Sequence, residues 1–64
     1  MLIKEGSEGE EVKKLQQKLG LTPDGFFGPK TTEAVKSFQT KNGLNPDGVV
    51  GKLTWDKIMV MVIA

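Results

Sequence analysis

Apolar residues recur at helical spacing in three stretches of the chain, and glycine-containing loops separate these stretches. The apolar stripes are Val12, Leu15 and Leu19 in the first stretch, Ala34, Val35 and Phe38 in the second, and Trp55 and Ile58 in the third. This periodicity is typical of helices that bury one face. We therefore predict helices over about residues 7–19, 29–42 and 52–62. Together they form an all-α, compact three-helix bundle that makes up one domain over residues 1–64.

The predicted helix ends carry residues that commonly cap helices. Ser7 and Glu10 have the spacing of a capping box, in which each side chain accepts a hydrogen bond from a backbone amide at the helix start. Gly20 follows the first stripe and is predicted to end that helix. Gly28 and Pro29 begin the second helix, with proline at the first helical position, where its missing N–H has no cost.

One helix-loop unit occurs twice. Residues 21–28 read LTPDGFFG, and residues 44–51, 23 positions later, read LNPDGVVG. Residues 10–28 match residues 33–51 at eleven of nineteen positions, and Thr54 matches Thr31 at the start of a third, incomplete copy. Each Pro-Asp-Gly is a strong turn signal. Because each helix can bury its stripe only against its neighbours, the units are expected to fold together.

The two ends of the chain are apolar. Leu2 and Ile3 have no apolar partner in their own segment, and residues 58–64 read IMVMVIA. We expect Leu2 and Ile3 to pack against this tail. The tail is far shorter than the roughly 20 residues that span a bilayer, so no membrane span is predicted. No signal-peptide pattern opens the chain.

Composition excludes several functions. The chain contains no Cys and no His, which removes disulfides, Ser–His–Asp triads and His-ligated zinc, and we predict no metal site and no cofactor. A glycosidase needs two carboxylates facing each other across a cleft, for which so small a bundle has little room. We therefore predict no catalytic residue. All nine basic residues are lysines, interleaved with acids at a net charge of +1, which does not favour nucleic acid as a partner.

The stretches GSEGEEVKKLQQKLGL, PDGFFGPKTTEAVKSFQTKNGL and PDGVVGKLTW together resemble the peptidoglycan-binding domain family PG_binding_1. The departures are Lys52, where proline would be common, and the apolar tail. The resemblance implies a right-handed three-helix fold with an internal pseudo-repeat. It also implies a non-catalytic module that binds bacterial peptidoglycan and targets a covalently linked hydrolase or endolysin to the cell wall. The expected location is the cell wall, periplasm or extracellular space, or the host wall for a phage protein.

A second hypothesis is a structural or protein-interaction domain of the same fold, with the apolar C-terminal tail as its association surface. Some relatives in the family act as spacers or in metalloprotease pro-regions, so the fold alone does not establish wall binding.

Binding peptidoglycan requires hydrogen-bonding groups beside an apolar or aromatic platform. The turn residues Asp24, Gly25, Asp47 and Gly48 are candidates, because turns can expose backbone N–H groups. For Asp24 and Asp47, formation of the turn is by itself a sufficient explanation, and we favour it. The N-termini of the second and third helices could favour a stem-peptide carboxylate. Gln39, matched by Gln16, either contacts the ligand or satisfies the backbone of the adjoining loop, and we favour the loop.

Two aromatic residues are further candidates. The resemblance implies that Phe27 and Val50 belong to the core, which leaves Phe26 partly exposed as a platform for a sugar or stem peptide. Trp55 either stacks on a sugar or packs in the core, and the core is the commoner place for a lone tryptophan. The contact is expected where the two repeats differ, as at Phe26 and Val49 and at Thr22 and Asn45.

Overall fold

The computed structural model describes the backbone of residues 2–61 and the side chains of residues 2–59. It contains three helices, α1 (Glu10–Lys18), α2 (Pro29–Lys41) and α3 (Lys52–Met61), and the described residues form no strand beyond two isolated bridges. The predicted all-α, three-helix fold is confirmed. The apolar tail beyond Met61, including the last residue of the predicted third helix, lies outside the described residues.

The start of α1 differs from the prediction. The helix begins at Glu10, its N-cap is Gly9, and no side chain caps it. The predicted capping box is therefore wrong. The Ser7 hydroxyl instead accepts a hydrogen bond from the Lys4 amide at 3.0 Å. The cause is long-range, because the backbone of residues 6–9 bonds to the first loop and cannot be helical.

Residues 3–9, called the N-terminal segment below, lie across both loops. At the first loop, Gly6 N donates to Phe27 O at 2.8 Å and Phe27 N donates to Ser7 O at 2.9 Å. At the second loop, Ile3 and Val50 exchange two backbone hydrogen bonds of 3.1 and 2.8 Å. The segment therefore connects the two repeats through backbone pairing.

The expected contact between the chain start and the tail takes a different form. Ile3 is buried in the core cluster that includes Ile58, but its backbone partner is the second loop. Leu2 is 65% exposed and therefore does not pack into the core as predicted. Its methyl group lies over Gly51, 3.6 Å from where a Cβ atom would be. The side chains of residues 60–64 lie outside the described residues.

Both α1 and α2 end in the same motif. After α1, Gly20 N donates to Gln17 O and Leu21 N donates to Gln16 O. After α2, the corresponding bonds join Gly43 to Thr40 and Leu44 to Gln39. This pair of bonds defines a Schellman motif, which places a glycine in the left-handed region, here at φ 78° and 71°. The predicted helix end at Gly20 is confirmed.

The core repeats with the sequence. Val12, Val35 and Ile58 occupy the same repeat position on the three helices, and all three are fully buried. Phe27 and Val50, each the last apolar residue of its loop, are also fully buried, as predicted. Because each loop inserts a residue between the helices, the loops are part of the core and their geometry is fixed.

Candidate functional site

The side chain of Gln16 forms hydrogen bonds that hold the first loop in place. Its amide is almost completely buried. Its Oε1 accepts a hydrogen bond from the Gly25 amide at 3.0 Å. Its Nε2 lies 2.9 Å from both Asp24 Oδ1 and Phe26 O, and 3.1 Å from the Thr31 hydroxyl. One side chain thus joins α1, the loop and the first turn of α2.

Gln39 makes the same contacts in the second repeat. Its Oε1 accepts from Gly48 N at 3.0 Å, and its Nε2 lies 3.2 Å from Asp47 Oδ1, 2.9 Å from Val49 O and 3.1 Å from the Thr54 hydroxyl. The preferred interpretation, that each glutamine satisfies its loop, is confirmed. The backbone amides of Gly25 and Gly48 donate their hydrogen bonds to these glutamines, and both glycines are buried. They are therefore not the exposed donors that the turn signal suggests.

The hydroxyl groups of Thr31 and Thr54 each keep a proton that they can donate. An amide nitrogen has two protons, so each glutamine can supply at most two of its three acceptors at once. A threonine hydroxyl that accepts from the amide keeps its own proton. Among the described residues, neither the Thr31 nor the Thr54 hydroxyl donates a hydrogen bond. Both residues are at least nine-tenths buried and line clefts that open to solvent.

The first cleft lies between the first loop and the start of α2. It is lined by Gln16, Gly20, Leu21, Thr22, Asp24, Lys30 and Thr31. Phe26 N and Gln16 Nε2 both donate to Asp24 Oδ1. These two hydrogen bonds, the backbone one first, hold the pKa of the Asp24 carboxyl below its usual value. The carboxylate is therefore ionised near neutral pH.

The second cleft is the counterpart of the first in the second repeat. Its lining includes Gln39, Leu44, Asn45, Asp47, Leu53 and Thr54, and further residues are Leu2, Val49, Gly51 and Lys52. Leu53 and Leu2 are 71% and 65% exposed. The second cleft thus combines hydrogen-bonding groups with an apolar rim, which is the combination that peptidoglycan binding is expected to require.

The two aromatic candidates lie outside both clefts. Phe26 is 47% exposed, as predicted, and its ring covers Gly28, where a Cβ atom would be only 3.0 Å from the ring. Trp55 is half-buried and packs against the core. Its Nε1 has no hydrogen-bond partner among the described residues. Trp55 borders a separate cleft with Met59 and three lysines.

Sequence reasoning missed the rim residues. Leu2 and Leu53 were not candidates, because an apolar residue at a chain start or a helix start carries no local signal of exposure. Lys30 was also missed, although the repeat aligns it with Leu53 and so marks a difference between the copies. Thr22 lines the first cleft and Asn45 lines the second, and the expected ligand contact at these positions stays a prediction.

Within residues 2–61, no cluster of three or more acidic side chains is placed to hold a metal ion. No helix in the same range has the length and apolar character to cross a membrane.

The model of the PG_binding_1 family, a peptidoglycan binding domain, matches residues 8–58. The chain belongs to this family. Comparison with curated proteins gave no match.

Solved structures of cell-wall proteins contain the same fold. A peptidoglycan-binding protein from Clostridioides difficile, solved in complex with glutamine hydroxamate, is 44% identical, with a TM-score of 0.88 over 91% of this chain and 40% of that one. A fused Zn-dependent amidase/peptidase/peptidoglycan-binding domain-containing protein from Clostridium acetobutylicum is 40% identical, with a TM-score of 0.88 over 91% of this chain. The Burkholderia AP3 phage endolysin is 33% identical, with a TM-score of 0.87 over 91% of this chain.

The chain covers only 28% of the Clostridium acetobutylicum protein and 24% of the endolysin. It therefore corresponds to one part of each of these relatives.

Proposed function

We propose that this chain is a non-catalytic module that binds peptidoglycan through the second cleft and holds a covalently linked hydrolase or endolysin at the bacterial wall. The observation that carries the proposal is the rim of that cleft. Leu2 and Leu53 are the two most exposed large apolar side chains among the described residues, and both border the same hydrogen-bonding floor. Exposed apolar residues grouped beside convergent polar groups are typical of a ligand site.

The chemistry of the second cleft suits a polymer of sugars and short peptides. The Thr54 hydroxyl and the Lys52 ammonium can donate hydrogen bonds, Asp47 can accept them, and the Asn45 amide can do both. The leucines can pack against the methyl groups of acetamido, lactyl and alanyl substituents. The buried Gln39 side chain accepts a hydrogen bond from Gly48 N and lies within hydrogen-bond distance of Asp47 and Val49, and these contacts fix the shape of the loop that forms the site.

The size of the relatives supports the targeting role. The chain corresponds to a fraction of an amidase/peptidase and of an endolysin, proteins that contain further domains. A weak binding module raises the effective concentration of a linked enzyme at an insoluble substrate without changing any bond itself. The place of action is then the cell wall, reached from the periplasm, from outside the cell or from a phage.

Co-sedimentation with purified, insoluble peptidoglycan tests the proposal. We expect the wild-type domain to pellet with the wall. Leu53→Ser should weaken this binding by about tenfold, because a buried leucine contributes roughly 1.5–3 kcal/mol. Met59→Ser is the matched control. Met59 is also an exposed apolar residue of α3, at 54%, but it borders the separate cleft beside Trp55 and not the second cleft.

If the wild-type domain stays in the supernatant across several wall types at low salt, the proposed function is wrong. If both variants lose binding equally, the second cleft is not the site. Phe26→Ala provides a third arm, which tests the predicted aromatic platform separately from the clefts. An effect of that substitution larger than that of Leu53→Ser would move the site to the exposed face of Phe26.

A further inference from the structure

The first cleft has the same floor as the second but a different rim. We propose that it is a second subsite, specific for a zwitterionic amino-acid end of a stem peptide, in which one carbon carries both a free ammonium and a free carboxylate. This inference rests on the proposed function, because the same wall polymer supplies both ligands.

The floor of the first cleft holds an unused donor. Thr31 is 4% exposed and its hydroxyl accepts from Gln16 Nε2 at 3.1 Å. It donates no hydrogen bond among residues 2–59, which leaves its proton for a ligand. Because Thr31 lines the open first cleft, this proton can be donated to an acceptor that enters the cleft. A ligand carboxylate is such an acceptor.

The rim supplies charges of both signs. Lys30 lines the first cleft where Leu53 lines the second, and its ammonium is suited to a carboxylate. Asp24 lines the same cleft and uses only Oδ1 for its bonds to Gln16 and Phe26. Its Oδ2 accepts no hydrogen bond from the described residues and is available to a ligand ammonium.

Leu21 lines the first cleft as Leu44 lines the second, but the exposed apolar rim of the second cleft has no counterpart here. Leu2 and Val49 border only the second cleft, while Phe26, the counterpart of Val49, is turned over Gly28. Both clefts contain a cation, an anion and a hydroxyl donor, but the first lacks the exposed side chains of Leu2 and Leu53, and this favours a compact, doubly charged group over a sugar ring. The two clefts therefore fit different parts of one wall fragment.

The test uses two muropeptides and a ¹⁵N-labelled domain. One muropeptide contains meso-diaminopimelate with its free zwitterionic end, and the other has that end amidated to a carboxamide. We expect the first to shift the amide resonances of Thr22, Lys30 and Thr31 and the second to bind this cleft at least tenfold more weakly. Lys30→Leu, which places the second-repeat residue type in the first repeat, should weaken binding of the zwitterionic muropeptide by about tenfold. Met59→Ser should not.

Sedimentation with insoluble wall, run on the same proteins, separates the two proposals. If the wild-type domain sediments but the zwitterionic muropeptide shifts no resonance of the first cleft, the subsite is wrong and the module function stands. Equal binding of the two muropeptides, or no effect of Lys30→Leu, also overturns the subsite. If the domain neither sediments nor binds either muropeptide, both proposals are wrong.

Discussion

The two repeats share a polar frame and differ at its rim. Each glutamine side chain lies within hydrogen-bond distance of the same four partners, three in its loop and one threonine on the next helix, and corresponding distances differ by no more than 0.3 Å. The rims carry Lys30 in one copy and Leu53 with Leu2 in the other. The two copies thus agree at the residues that hold each loop in place and differ at the residues that a ligand in the cleft would contact.

The largest expected effect tests the hydrogen bonds that Gln16 and Gln39 make in the two repeats. Gln16→Leu and Gln39→Leu each remove a buried amide and leave the buried loop amide, of Gly25 or Gly48, and the threonine hydroxyl without the partner that the glutamine supplies. We expect each to lower the free energy of unfolding by about 3 kcal/mol, since every unsatisfied buried group costs about 1–3 kcal/mol. For a domain whose total stability is on the order of 3–10 kcal/mol, that loss is severe.

Urea denaturation measures both variants. Because the two networks have the same geometry, the two losses should agree within about 1 kcal/mol. A large loss for one glutamine and almost none for the other would contradict the equivalence of the repeats. Gln17→Leu, at an exposed position of α1, is the control and should have little effect.

A smaller effect tests the crowding of the loop glycines. Gly25 and Gly48 have φ of 80° and 76°, so alanine at either position costs about 1–2 kcal/mol in backbone strain. Gly43→Ala, at φ 71° with nothing within 4 Å of its Cβ position, measures that strain alone. At Gly48 a Cβ atom would lie 3.2 Å from the Thr32 methyl group, and at Gly25 it would lie 3.2 Å from the flexible Lys13 stem.

We therefore expect Gly48→Ala to be the most destabilising of the three in thermal or urea unfolding, Gly25→Ala to follow and Gly43→Ala to be the mildest. If Gly43→Ala equals Gly48→Ala, backbone strain alone explains the loops and the side-chain contacts add nothing.

The smallest effect concerns pH. The lowered pKa of Asp24 means that its charged form stabilises the fold, and this contribution is complete above the unfolded value of 3.8. It is lost as pH falls from there through the lowered folded pKa. Asp24→Asn should therefore be less stable than wild type at pH 7, and the two unfolding curves should converge as the pH drops below 3.8. A stability difference that stays constant down to pH 2 would show that the charge is not the cause.

The sequence was most informative where the determinants are local. The Schellman glycines, the Pro-Asp-Gly turns and the proline at the start of α2 depend on backbone preferences of a few residues, and all were predictable. Phe27 and Val50 in the core followed from the family resemblance, and the matched glutamines from the repeat. The reason is that each of these features lies within one helix-loop unit.

Features that depend on distant parts of the chain were not predictable. Ser7 and Glu10 have the spacing of a capping box, but pairing between residues 6–9 and the first loop removes Ser7 from the helix. Leu2 is apolar and was expected to be buried, yet Ile3 alone enters the core. The rim of the second cleft also required the fold, because Leu2 and Leu53 are brought together from opposite ends of the chain.

The N-terminal segment has a consequence for how the domain folds. The local helix-loop contacts can form early, since they close short loops, whereas the pairing of Ile3 with Val50 joins residues that are distant in sequence and carries a larger entropic cost. Once formed, this pairing joins the second loop to the same N-terminal segment whose residues 6–9 bond to the first loop. We therefore expect the chain, although built from repeats, to unfold as one cooperative unit, so that a ligand that stabilises either loop also stabilises the other.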